Sequence, residues 1–356
     1  MVVRRDIVAI SIPFSAGVAL AACLPSGGDA LYPAAAGTCL AVAALLVPAA
    51  GRRRIATLFP LLFALLGVFC YCSSALSVPL RQAPGPGSAQ ALGRLLRAID
   101  GAEFPHADTA ALLKALLAGQ RDGLDRDTVT AFRAAGASHI LALSGLHLGI
   151  LYGILHAALR WMGRSRGATL ARSVIQIGFA AAYVAMTGAS PSLVRAFLFI
   201  VLNELSRLLP GRRRRPLNIF CAALTIQLAV TPGVIASLGF QLSYLAMLGI
   251  VLVFPRLDAW YPAAGRFDPF RRVWSAVALT CSCQLFTAPL VWIRFRSFPK
   301  YFLLTNLGVL PLTELFVFVS LPVLVLGGHC PEGIKKLADM IGQLLLQFLG
   351  TVAAIP

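Results

Sequence analysis

Ser144 and His147 stand three residues apart in the stretch Ser138-His-Ile-Leu-Ala-Leu-Ser-Gly-Leu-His-Leu-Gly-Ile-Leu-Tyr-Gly, a spacing that makes them neighbours on one helix. A hydroxyl beside an imidazole is half of a nucleophilic centre. The other half is missing from the pattern, because no carboxylate is placed to orient the ring and no oxyanion donor can be named. A polar pair inside an apolar run otherwise faces a cavity or another helix, so His147 can line a passage or make an interhelical hydrogen bond. Beside the pair, Gly145, Gly149 and Gly153 recur every four residues, followed by Ala157. Such a ridge lets a second helix approach closely and can serve as a packing seam.

A second constellation is Thr187-Gly-Ala-Ser-Pro-Ser-Leu-Val-Arg195, a short broken turn followed by an arginine inside an apolar helix. Arginine at the hydrocarbon centre costs about 2.5–3.5 kcal/mol. Near a helix end it either snorkels to the headgroups or presents a cation to an anionic solute. Gln227, Gln241, Ser243, Tyr244, Gln284 and Asn306 put single polar groups into other apolar runs, each as able to join helices as to meet a solute. Pro289, Pro311 and Pro322 interrupt their helices, and Glu314 lies between the last two. The eight cysteines sit almost wholly inside apolar runs and lack the spacing and neighbouring histidines of a zinc site. No metal, no cofactor and no phosphate-binding Gly-Lys-Ser/Thr loop is expected.

The elements that must carry these residues are set by composition. Of 356 residues, 58% are hydrophobic and 13% charged, with a mean hydropathy of +0.80, whereas soluble domains carry about 25% charged residues. Water is not the main solvent of this chain. Uncharged runs predict helices near 7–24, 31–50, 55–78, 138–159, 169–187, 190–209, 217–236, 238–254, 273–293, 301–326 and 335–355. The expected fold is therefore an all-α polytopic integral membrane protein with about 10–11 transmembrane helices and a short extracytoplasmic helical segment. Residues 216–255 hold no charge and are too long for one span, so the chain should turn at Thr231-Pro232-Gly233.

The formal charge of +17 invites a nucleic-acid reading, but position explains most of it. With the N-terminus in the cytoplasm, Arg4 and Arg5, Arg52 to Arg54, Arg160 to Arg172, Arg207 to Arg215, Arg256 to Arg272, and Lys335 and Lys336 all fall inside. The outer turns at 25–30, 188–189 and 231–237 carry no Lys or Arg, as the positive-inside rule requires. Three parts follow: an N-terminal three-helix membrane segment (1–78), an extracytoplasmic linker with amphipathic helices (79–137), and a transmembrane channel domain (138–356). The linker has seven basic and six acidic residues and is no basic patch. Within it, 109–118 and 126–135 read as short helices on the outer membrane surface, stopped by Gly119 and Gly136 and with Asp125 as an N-cap.

Three stretches together resemble the ComEC-type competence family of DNA-uptake membrane proteins. The first is Leu116-Leu-Ala-Gly-Gln-Arg-Asp-Gly-Leu with Phe132-Arg-Ala-Ala-Gly-Ala-Ser-His-Ile-Leu-Ala-Leu-Ser-Gly-Leu-His-Leu-Gly. The second is Thr187-Gly-Ala-Ser-Pro-Ser-Leu-Val-Arg-Ala. The third joins Pro216-Leu-Asn to Gly239-Phe-Gln-Leu-Ser-Tyr-Leu-Ala-Met-Leu-Gly. The similarity covers about residues 109–326. It implies an inner-membrane channel that passes single-stranded DNA into the cytoplasm during natural transformation. Mapped residue by residue, it implies a path lined by Ser144, His147, Arg195, Asn218, Gln241 and Ser243, with Ser138, His139 and Ser190 at the outer entrance. It further implies membrane lipids as surroundings, a periplasmic DNA-delivery protein and a cytoplasmic helicase-like motor as partners, and a homo-oligomer as an alternative to a single copy.

The chain also departs from the fuller family pattern. Residues 79–108 are too few for the extracytoplasmic OB-like domain that members often carry, and the five histidines form no His-x-His-x-Asp-His cluster of a metallo-β-lactamase-like nuclease. An enzyme is not expected. Two rivals stay open: a secondary transporter for a small anion, which would also use Arg195 and broken helices, and a membrane-embedded hydrolase using Ser144 and His147.

Overall fold

The computed structural model describes residues 7–23, 37, 39, 52–76, 86–141, 143–163, 165–208, 215–262, 268–296 and 300–355. The expected span at 31–50, apart from two isolated residues, and the basic residues 4, 5, 164, 212–214 and 266 lie outside them. Among the described residues all regular structure is helical, so the all-α expectation holds. In chain order the helices are α1 (Val8–Ala22), α2 (Arg52–Leu76), α3 (Pro86–Asp100), α4 (Ala107–Ala118), α5 (Arg126–Ala134), α6 (Ser138–Leu141), α7 (Gly145–Ala158), α8 (Arg166–Met186), α9 (Pro191–Leu208), α10 (Pro216–Val230), α11 (Leu238–Leu252), α12 (Phe254–Asp258), α13 (Pro269–Phe295), α14 (Phe302–Leu326) and α15 (Glu332–Ala353).

Helices α8, α13 and α14 are long and apolar enough to cross a membrane, and α1, residues 59–74 of α2, α10 and α11 are apolar but shorter. These are fewer full-length spans than the sequence runs imply. The uncharged run 216–255 does break after Thr231, in a 3-10 turn over Pro232–Ala236.

The chain forms two compact units. The first comprises Met1–Ala83 and Leu198–Val251, the second Pro84–Phe197 and Leu252–Pro356. In the first, α1 and α2 cross with their backbones touching. A Cβ on Gly17 would strike the Ala64 carbonyl, and one on Gly67 would strike the Phe14 carbonyl. Only glycine permits that approach. Phe14, Val18, Phe220, Leu228, Phe240 and Tyr244 then form the core. Its polar groups are paired: Ser11 Oγ donates to the Cys221 carbonyl (3.0 Å), Thr225 Oγ1 to Ser11 Oγ (2.7 Å), and Tyr244 OH to Gln227 Oε1 (2.8 Å).

In the second unit α4 is packed inside the protein. Leu112, Leu113, Ala115 and Leu116 are wholly buried and Leu117 nearly so, because the leucines cover more of the helix than one amphipathic stripe. Ala102, just before α4, packs with Val323, Cys330 and Ala338. Farther along, Thr305 Oγ1 donates to the Ala135 carbonyl (2.8 Å). The segment 102–135 thus runs along α14 from its C-terminal part to its first turn. Helix α15 packs on α14, where Gly308 faces the Phe348 ring and Gly342 faces Phe316 and Thr109.

The predicted caps are present. Asp125 accepts the Asp127 N–H (3.3 Å), and Gly119 and Gly136 take positive φ values of 73° and 74°. Helix α3 was not expected, since Gly93 interrupts its Leu92, Leu95, Leu96, Ile99 pattern. At the α12–α13 corner, Asp258 pairs with Arg271 and accepts from Ser275, while Tyr261 OH donates to Asp268 (2.8 Å). That hydrogen bond to a carboxylate holds the Tyr261 phenol above its ordinary range.

Candidate functional site

Residues 138–159 do not form one continuous helix. The one-turn α6 ends at Leu141, and α7 starts afresh at Gly145 with Ser144 as its extended N-cap (φ −116°, ψ 164°). Ser144 is therefore not a neighbour of His147 on a helix face but the residue that opens the helix. Its Oγ accepts the Leu146 N–H (3.3 Å), and its own N–H donates to His147 Nδ1 (3.3 Å). This reciprocal capping box satisfies two donors that a helix start leaves without partners. The physical reason is local. Serine's short side chain competes for backbone donors and is favoured at a cap over a helix interior.

His147 is completely buried. Because Nδ1 accepts a backbone N–H, the neutral ring carries its proton on Nε2. That Nε2 is buried and has no hydrogen-bond partner among the described residues. The Ser144 hydroxyl is 3.4 Å from the Nδ1 that the backbone already occupies, and no carboxylate among the described residues bonds to the ring.

Helix α9 begins beside this turn. Gly188 (φ 83°) and Ala189 (φ 50°) both adopt left-handed backbone, a conformation that costs alanine about 1–2 kcal/mol. Ser190 then caps α9 through its Oγ to the Leu193 N–H (3.4 Å), and Pro191 occupies the first helical position, where its missing N–H costs nothing. A Cβ on Gly145 would lie 3.0 Å from Ala196 Cβ, 3.3 Å from Arg195 Nη2 and 3.8 Å from the Ser192 carbonyl. The start of α7 therefore meets the first two turns of α9, with the Arg195 guanidinium against it. Both helix starts carry partial positive charge, and the contact sets the Arg195 guanidinium against the N-terminus of α7, with His147 buried in the first turn of that helix. An anion is the ligand such an arrangement suits.

Of the sequence-predicted residues, Ser144, Gly145 and His147 share the start of α7, Gly145 meets Arg195 of α9, and Ser190 caps α9. Ser138 and His139 lie exposed on α6, and His139 Nδ1 is 3.2 Å from the Gly136 carbonyl. Asn218, Gln241 and Ser243 belong to the first unit, where Gln241 Nε2 donates to the Ile235 carbonyl (2.9 Å). Gly149 and Gly153 have open space where a Cβ would be. They line a groove of about 750 Å³ with Pro311, Glu314 and Leu315, so close packing on the glycine ridge is seen at Gly145.

The matched sequence profile settles the relationship. The family described as "Competence protein" matches residues 116–356, which contain the whole of this site. The chain belongs to the Competence family. It is 28% identical over 220 residues to "ComE operon protein 3" of Bacillus subtilis (strain 168), an alignment that covers 62% of this chain and 26% of that protein. The chain thus spans about a quarter of that Competence-family relative. No solved structure matches.

A polar cluster that sequence reasoning missed joins His106 and Thr109 to Asp339 and Gln343. Its one legible signal is the Lys335, Asp339, Gln343 spacing of four along α15.

Proposed function

We propose that this chain forms the membrane-embedded passage through which single-stranded DNA reaches the cytoplasm during natural transformation. The observation that carries the reading is the contact of the α7 start with the first two turns of α9 at Arg195, within a helical membrane protein of the Competence family. A phosphate backbone must be met by positive groups that are few enough to let it go. Partial charges on two helix ends, one guanidinium and one neutral Nε2–H donor meet that need without a dense cationic lining. Asn218, Gln241 and Ser243 join the proposed path through the motif match alone, as do Ser138, His139 and Ser190 at its outer entrance.

The same reading places the chain in the bacterial inner membrane with a cytoplasmic N-terminus. A periplasmic protein would deliver the DNA, and a helicase-like motor or the membrane potential would drive it. The capping geometry favours a positioning role for Ser144 over a nucleophilic one. A small anion would meet the same donors, and the family relationship supports the polynucleotide reading.

Deleting the coding region and following labelled DNA separately into periplasm and cytoplasm tests the proposal. Periplasmic accumulation without cytoplasmic arrival is the expected result, and unchanged cytoplasmic arrival refutes it. In the intact gene, Arg195→Ala should lower cytoplasmic arrival about tenfold to a hundredfold, the worth of a charge-assisted hydrogen bond, while membrane insertion is kept.

A further inference from the structure

Hydropathy reads residues 138–159 as one helix, yet the chain breaks before Gly145. In an unbroken helix the Leu141 carbonyl would accept the Gly145 N–H, four residues on. Here that carbonyl accepts Nε of Arg121 (3.0 Å), which reaches it from the loop after α4. Among the described residues no acceptor takes the Gly145 N–H. The first donor of α7 is thereby left open at the helix start that the Arg195 guanidinium lies against.

Two further contacts set the place from which Arg121 reaches. Gly119 ends α4 with φ 73°, and a Cβ there would lie 2.6 Å from Leu143 Cδ1, so the Leu143 side chain rests on the α4 terminus. Tyr183 of α8 is 5% exposed and donates its hydroxyl to the Leu117 carbonyl (2.9 Å), one of the acceptors that a helix end leaves without an internal partner. The end of α4 is thus tied both to α8 and to the chain just before Ser144, and Arg121 extends from it.

We propose that Arg121 is a positioning residue of the candidate anion site: by occupying the Leu141 carbonyl it keeps α6 and α7 from joining and holds the Gly145 N–H available to an anionic group. A carbonyl can accept two donors, so the guanidinium acts together with the Leu143–Gly119 contact and the extended backbone of Ser144. The consequence for import rests on the DNA-passage reading above. The consequence for the backbone does not.

Hydrogen exchange of the full chain in nanodiscs, resolved at single amides, reads the Gly145 N–H without DNA. Arg121→Met removes the donor and should slow exchange at Gly145 about tenfold, the worth of one hydrogen bond, as the N–H closes onto Leu141. Loss of packing alone would speed exchange, so the sign separates positioning from general support. Arg121→Gln sets an amide nitrogen where Nε stands and removes the charge, and it should exchange as the wild type does. Cytoplasmic arrival of labelled DNA should fall about tenfold in Arg121→Met and stay within about twofold of wild type in Arg121→Gln. Unchanged or faster exchange at Gly145 in Arg121→Met, or slowed exchange in Arg121→Gln, overturns the proposal. If Arg121→Met fails to insert, Arg121→Gln decides alone. Slowed exchange in Arg121→Met with full import upholds the positioning role and takes the site out of the DNA path, so the two readings fail separately.

Discussion

At the scale of single residues, Ser144 and His147 shape the backbone at the start of α7. Ser144 opens α7 and His147 returns the favour, so Ser144→Gly should cost only a few tenths of a kcal/mol and Ser144→Ala about 1 kcal/mol. Both variants are expected to import DNA, measured as cytoplasmic label. Complete loss in Ser144→Gly with normal insertion would revive the nucleophile reading. Gly145→Leu is a harsher change, because its side chain must displace Ala196 and Arg195. Overpacking of this kind costs about 1–3 kcal/mol, and both thermal stability in detergent and import should fall together. The residue types at this site were legible in the sequence. Their roles were not, because a spacing of three fits a helix face and a capping box equally well, and only the extended backbone at Ser144 separates the two.

At the scale of elements, apolar runs located the helices to within a few residues, since hydrophobic burial dominates each run. What they did not reveal was interruption. The break before Gly145, at residues 143–144, lies inside an uncharged run, where hydropathy has no contrast to register. The burial of α4 was not legible for a related reason: seven buried residues in twelve do not form a narrow stripe, and depth depends on partners about 200 residues away in sequence. Glycine spacing was likewise ambiguous. The Gly145, Gly149, Gly153 ridge is regular but open at two of its three members, while Gly17 and Gly67, which no repeat advertises, make the backbone crossing of α1 and α2. Accordingly, Gly67→Leu should destabilise the first unit strongly, read as loss of a cooperative melting transition in detergent. Gly149→Ala should change stability by less than about 1 kcal/mol or raise it slightly, as alanine is the better helix former.

At the scale of the whole molecule, the path of segment 102–135 bears on topology. Ala102 packs near Val323 and Ala135 bonds to Thr305, positions about 27 Å apart along a helix. The hydrocarbon core is about 30 Å thick. Were α14 to cross the bilayer over this whole length, the two ends of the segment would come near opposite faces, a placement different from an all-extracytoplasmic 79–137 that side-specific labelling tests. Glu103→Cys and Arg133→Cys, both at exposed positions and placed in a background with the native cysteines replaced, are expected to react with an impermeant thiol reagent from opposite sides. Labelling of both from one side would mean that α14 does not cross in this way.

That same segment imposes an order on biogenesis. The leucines of α4 leave the ribosome long before the residues that bury them, since Thr305 and Asp339 follow their partners by 170 and 230 positions or more. Until α14 and α15 are synthesised, a strongly oily stretch must wait beside the insertion machinery or be shielded by a chaperone. Completion of the second unit's core therefore follows the synthesis of α14 and α15.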